Sequence, residues 1–184
     1  EQTKIFCQYL YNIQTDKGFD IILDSCCGTG DSSFYLQKGL KKNEILVAID
    51  KSPFKLRKAI NKMRDKRIFF IRGNVLDLWS GLYLEKVSIK KHYLLYPNPW
   101  PKQKHMKKRW YAHAILPTML KFTRELEVRT NWYTYATECL EALTYYEGLR
   151  TEINEIRPVH PISAFEKKYF FSSNKLYRVN ASKL

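Results

Sequence analysis

Acidic residues are scarce in this chain. Eighteen Asp and Glu face 32 Lys and Arg among 184 residues, a net charge of +14 and a pI near 9.6. That imbalance exceeds what solubility requires and points to a polyanionic partner, with nucleic acid ahead of a membrane surface. Cysteines are also few. Cys7, Cys26, Cys27 and Cys139 show no CxxC spacing, and the adjacent pair is poorly placed for a normal disulfide. A reduced, cytoplasmic compartment therefore fits better than a secreted one, and no metal site is expected. No run approaches transmembrane length, no signal peptide opens the chain, and neither an internal repeat nor a low-complexity linker is seen. At 22.0 kDa the chain suits one well-buried domain, residues 1–184.

Proline, by contrast, is concentrated. The stretch Leu95 to Trp110, LYPNPWPKQKHMKKRW, holds three of the seven prolines, two tryptophans and a block of Lys, Arg and His. The apolar run from His92 to Tyr96 reads as a buried strand that stops at Pro97, because proline cannot donate to a ladder and fixes its own φ. Pro97, Pro99 and Pro101 keep the following segment extended, so Asn98 and Trp100 are presented from a stiff loop at a strand's C-terminal end. In an open α/β sheet ligands bind at that end. The cationic run after it suits phosphates.

Along the chain, residues 1–18 have the spacing of an amphipathic helix. Phe19 to Cys26 reads as a strand followed by the turn CGTG, and Asp31-Ser-Ser opens a helix. Glu44 to Asp50 is a second strand, with Ser52 and Pro53 as cap and first residue of the next helix. Arg67 to Asn74 is a third strand, and residues 75–86 a short helix broken near Gly81. A helix from about Lys107 to Phe122, kinked at Pro117, leads to a strand over Glu125 to Asn131 and a helix over Trp132 to Leu149. Two strands, Thr151 to Arg157 and Lys175 to Ala181, close the chain with little helix between them. The alternation predicts an α/β, doubly wound, mainly parallel seven-stranded sheet with an antiparallel strand at one edge.

Two glycines, Gly28 and Gly30, directly follow the first strand, although Cys26 stands where the dinucleotide fingerprint would have its first glycine. A glycine turn alone is equally at home in any α/β protein. Asp50, at the tip of the second strand, has the placement of a carboxylate that accepts hydrogen bonds from ribose hydroxyls. Asn74, at the tip of the third, can both donate to and accept from an adenine edge.

Together these features resemble an S-adenosylmethionine methyltransferase of the Rossmann-like type. YPNPWPKQKHMKKRW resembles the PDPWPKxRHxKRR signature of the tRNA (guanine-N7-)-methyltransferases, RTNWYTY that family's TDWxxY element, and Pro161-Ile-Ser163-Ala-Phe165-Glu166 its TxFE segment. The likeness runs from about Asp20 to Tyr177. It implies that Asp24, Gly28, Gly30, Asp50, Asn74 and Val75 surround S-adenosylmethionine, with Asn98 between cofactor and base. It implies further that Lys102, His105, Lys108 and Arg109 face tRNA or another structured RNA, and that Asn131, Ser163 and Glu166 complete the guanine site. From the residues alone, Ser163 with Glu166 also reads as a helix capping box.

The chain departs from that pattern at two positions, Asn98 and Asn131, where the family has Asp. Carboxylates only accept, which suits the N1–H and N2–H₂ donors of guanine; an amide sets a donor beside its acceptor. Three readings stay open: a guanine-N7 enzyme using other groups, an enzyme with another substrate, or an RNA-binding protein without catalysis. The intact cofactor-side residues favour an enzyme, with Asn98 and Asn131 as its candidate catalytic pair. The Gly-Gly turn usual before the Glu125 strand is also missing here.

Overall fold

A computed structural model describes residues 1–63 and 65–184. Seven strands form one sheet: β1 (Asp20–Ser25), β2 (Glu44–Asp50), β3 (Ile68–Arg72), β4 (Ile89–Leu95), β5 (Thr123–Thr130), β6 (Leu149–Ile156) and β7 (Leu176–Lys183). Their order is β3-β2-β1-β4-β5-β7-β6. β1 to β5 pair in parallel, and β7 runs antiparallel to both β5 and β6, so antiparallel pairing closes that edge as expected. The chain reverses direction across the sheet between β1 and β4, and a ligand crevice opens at such a switch point.

Helices cover both faces. On one side α1 (Gln2–Lys17), α4 (Val75–Leu84), α5 (Leu116–Phe122) and α6 (Tyr133–Thr144) bury Leu10, Trp79, Met119 and Tyr135 against Ile21, Leu23, Val47 and Val128. On the other, α2 (Asp31–Leu36) and α3 (Pro53–Lys62) cover Ile22, Leu46, Ala48 and Ile68 with Phe34, Leu36 and Leu56. α1 ends at Gly18, whose φ of 65° is the left-handed stop that glycine adopts without strain. α3 begins as its sequence indicates, with the Ser52 hydroxyl accepting the Lys55 N–H and Pro53 in the first turn.

Three expectations are corrected. α4 runs unbroken through Gly81, which is small because α1 crosses it: a Cβ there would lie 2.9 Å from Cys7 Sγ. Pro117 does not kink a long helix; it sits in the first turn of α5, where its missing N–H costs nothing, after two short 3₁₀ segments at Gln103–Lys108 and Trp110–Ala112. The segment before β7 is not mostly irregular, because Ala164–Phe171 forms α7 with Ser163 as its cap. The missing Gly-Gly turn has a structural counterpart: α5 ends at Phe122 and β5 starts at Thr123, with no loop residue between them.

Candidate active site at the strand ends

A cleft of about 720 Å³ lies over the C-terminal ends of the parallel strands. Its floor is the β1 turn, Asp24 to Thr29. One wall is Asp50 to Ser52 with Gly73 to Val75, and the other is the proline loop with Asn131 and the start of α7.

The glycine turn is held from below. Asp50 Oδ2 accepts the Gly28 N–H at 3.0 Å and Oδ1 accepts the Ser52 N–H at 2.8 Å, which ties the ends of β1 and β2 together. Each oxygen keeps a second lone pair, so the carboxylate can also accept from two ribose hydroxyls. Gly28 has φ 59° and open space where a Cβ would stand. Cys26, at φ 63°, takes the left-handed conformation that the missing glycine of the fingerprint would take without strain. Asp24 is 1% exposed, and its Oδ2 accepts both the Ser32 and Ser33 hydroxyls at 2.7 Å. Burial raises its pKa to about 6 despite those two bonds. This acid fastens the first turn of α2 to β1.

The proline loop is built from strained backbone and one buried cation. Tyr96 and Trp100, at φ 52° and 46°, bracket Pro97, Asn98 and Pro99. Asn98 Oδ1 accepts the Trp100 N–H at 3.3 Å, which turns the loop back on itself. Arg109 then uses all five of its donors: Nε and Nη2 on the Trp100 carbonyl at 3.2 and 3.1 Å, Nη2 on the Pro101 carbonyl at 3.3 Å, and Nη1 on Tyr111 and Glu138. Its guanidinium also lies 5.3 Å from the Trp132 ring. Outside this clamp the Trp100 ring meets His105 edge-on at 5.3 Å and Lys108 Nζ at 4.7 Å.

The cleft brings together Asp24, Gly28, Asp50, Asn74, Val75, Asn98, Lys108, Asn131 and Ser163 among the residues singled out in the sequence. It does not include the others. Gly30 faces away, because a Cβ there would meet Ala59 at 2.9 Å and Phe70 at 3.0 Å; its glycine serves the packing of the turn on α3 and β3. Arg109 cannot face RNA, since it is 4% exposed and fully bonded inward. Glu166 is wholly buried, joined to Arg129 at 3.0 Å, the Tyr96 hydroxyl at 3.0 Å and the Ile162 N–H at 3.4 Å, so it anchors α7 to the ends of β4 and β5. Ser163 accepts the Glu166 N–H at 3.1 Å, half of a capping box. Lys102 and His105 lie outside the cleft on the Gln103–Lys108 side, and Asn74 Oδ1 caps α4 through the Leu76 N–H. Lys51 and Lys55 line the cleft although no motif in the sequence marks them. Their signal is position, since the first turn of α3 follows the cleft-lining acid of β2.

Strand order 3-2-1-4-5-7-6 with a glycine turn and an acid at the first two strand tips defines an S-adenosylmethionine-dependent methyltransferase. Solved structures agree on the fold: an antibiotic-related methyltransferase matches with TM-score 0.64 at 15% identity, covering 98% of this chain and 94% of that one. An rRNA methylase from Streptococcus thermophilus matches with TM-score 0.59 at 14% identity, covering 98% and 95%. The family model described as "Putative methyltransferase" matches residues 20–179. The tRNA (guanine-N(7)-)-methyltransferase of Malacoplasma penetrans is 30% identical over 170 residues, 83% of this chain and 74% of that protein. The enzyme of the same name from Mycoplasma genitalium is 26% identical over 163 residues, 85% of this chain and 74% of that protein. The chain belongs to the tRNA (guanine-N(7)-)-methyltransferase family.

Proposed function

We propose that this protein transfers the methyl group of S-adenosylmethionine to N7 of a guanine in tRNA, with residues 1–184 acting as one domain. The observation that carries the reading is a single cleft with two chemistries. Gly28, Asp50 and Val75 line one end of it; Asn98, Lys108, Asn131 and Ser163 line the other. The first end suits a nucleoside. Asp50 offers the ribose acceptors, the open space at Gly28 admits close approach, and Val75 with Ile49 gives an apolar surface for a purine. The cofactor supplies an electrophilic methyl group on a sulfonium sulfur.

At the other end the protein's task is to position and to accommodate charge. Guanine N7 carries an unprotonated lone pair at neutral pH, so no general base is required, and orientation supplies most of the rate. Positive charge develops on the purine as N7 is methylated. Asn98 and Asn131 meet it with amide oxygens, which are weaker partners than carboxylates. Lys108 and the neighbouring cations hold the flanking phosphates. Named relatives act on tRNA, and the net charge of +14 fits that class of substrate. No helix among the described residues is long and apolar enough to cross a membrane, and no metal-binding cluster occurs among them. The free thiols of all four cysteines fit a reducing cytoplasm.

Methyl transfer from labelled S-adenosylmethionine to unmodified tRNA, followed by nucleoside mass spectrometry, tests the reading. 7-Methylguanosine is the expected product. S-adenosylhomocysteine binding without any methylated nucleoside would overturn it.

A further inference from the structure

A second local excess of charge lies away from the proline loop. Residues 38–67 carry eleven of the chain's Lys and Arg against three acids, Glu44, Asp50 and Asp65. None of the three acids is free to offset the cations outside. Glu44 and Asp50 are buried, the former bonded to Lys90 and the latter to two backbone N–H groups, and Asp65 holds Arg67 at 2.9 Å. Six of the other cations are displayed on α3 and on the loop before β2. α3 buries only Leu56 and Ala59, leaving Lys55, Arg57, Lys58 and Lys62 exposed along about 15 Å of helix. Of these, Lys62 reaches Asp31 only at 4.0 Å, an exposed pair that solvent screens. Lys41 and Lys42 extend the face, because Arg67 Nη1 donates to the Leu40 and Lys41 carbonyls and draws that loop toward the start of β3.

Two further observations separate this face from an ordinary solvated helix. It starts inside the cleft, where Lys51 and Lys55 line the wall opposite the proline loop. It also carries exposed apolar side chains: Phe54 is 65% exposed with Lys58 Nζ 4.4 Å from its ring, and Ile60 is 48% exposed. An exposed ring beside a cation at the edge of a basic track is the arrangement that stacks an unpaired base.

We infer that α3 and the Lys41–Lys42 loop form a second RNA track, which binds the phosphate backbone outside the target nucleotide and stacks one flanking base on Phe54. The inference rests on the tRNA reading above. RNA then spans the cleft, with the proline-loop cations on one side of the methylated base and α3 on the other. The track sets affinity for long substrates and takes no part in methyl transfer.

The experiment compares wild type, Lys58→Glu with Lys62→Glu, and Phe54→Ala, using whole tRNA and a short stem-loop that contains the target guanine but cannot reach α3. Wild type is assayed first, and failure to methylate either RNA would count against the tRNA reading itself. With activity established, the double charge reversal should raise KM for whole tRNA at least tenfold at unchanged kcat. It should also reduce the slope of log K against log salt by about 0.7 to 0.9 for each phosphate that is no longer neutralised. The stem-loop should be methylated as by wild type. Phe54→Ala should weaken whole-tRNA binding about fivefold or more, with the salt slope unchanged. S-adenosylhomocysteine affinity, unchanged in every variant, confirms folding. An unaltered KM and salt slope would show that α3 is a solvated face and overturn the inference. So would equal losses on both RNAs, which would place these residues in the reacting site.

Discussion

Replacing Arg109 by lysine keeps the charge and removes the fork. Lysine has three donors on one nitrogen and cannot reach the Trp100 carbonyl, the Pro101 carbonyl, Tyr111 and Glu138 at once. The bonds to the two loop carbonyls are charge-assisted and buried, each worth about 1.5 to 3 kcal/mol in isolation but not additive. Glu138 loses less, because its side chain is 34% exposed and water replaces the guanidinium there. The net cost is about 3 kcal/mol, which for a chain of this size lowers Tm by roughly 6 to 12 °C. The loop it releases holds Asn98 between two residues at positive φ, a conformation that persists only while its surroundings enforce it. A shift of about 1 Å in that loop is enough to reduce kcat some 100-fold. Cofactor affinity should stay near wild type, because the Gly28–Asp50 bond lies on the opposite wall. Thermal denaturation, S-adenosylhomocysteine titration and steady-state methylation of tRNA together decide the matter. A variant that melts and turns over like wild type would refute the clamp. A variant of wild-type stability with tRNA affinity selectively lost would show that the guanidinium faces RNA after all.

Asn98→Asp should preserve or increase kcat on tRNA, since a carboxylate still accepts the Trp100 N–H and adds negative potential where the purine becomes cationic; a large loss in a folded variant would assign the amide a role of its own. Gly81→Ala should destabilise by about 1 to 3 kcal/mol in urea melts through overlap with Cys7 Sγ, and Cys7→Ala in the same chain should return most of that loss. For Asp24 the folded pKa, about 6, lies above the unfolded value of 3.8, so its ionisation opposes folding. Its contribution falls as pH rises from about 4 to 6. The stability difference between Asp24→Asn and wild type should therefore grow across that window, by up to about 3 kcal/mol in favour of the amide, and a difference flat with pH would contradict the burial argument.

Much of this molecule is legible in the chain because its signals are local. β2 has the predicted limits, Ser52 caps α3, and the proline loop leaves β4 where Pro97 forbids a further ladder bond. What cannot be read is mostly a matter of partners distant in sequence. Nothing near Gly81 reveals that Cys7 crosses it, so a glycine in a helix has the look of a break. Arg109 sits in a run of cations and shares their apparent role; that it turns inward depends on the loop folding back to bring the Trp100 and Pro101 carbonyls to it and on Glu138, 29 residues later. Glu166 similarly finds Arg129 and Tyr96 across the sheet. Lys51 and Lys55 escape notice because no motif marks them, and their placement follows from where α3 begins relative to the cleft.

The seamless passage from α5 into β5 makes the helix a ruler for the strand. Side chains on β5 alternate, with Leu126 and Val128 in the apolar core and Glu127 and Arg129 joined in an ion pair on the opposite face. With no slack at Phe122 and Thr123, one inserted residue cannot be absorbed as a bulging loop. It either lifts α5 from its seat at Met119 and Leu120 or reverses the phase of the strand, turning charges into the core. Removing two residues keeps the phase but draws Asn131 back by about 7 Å, out of the cleft. The reach of that side chain is thus fixed by how a seven-residue helix docks at the far end of the sheet.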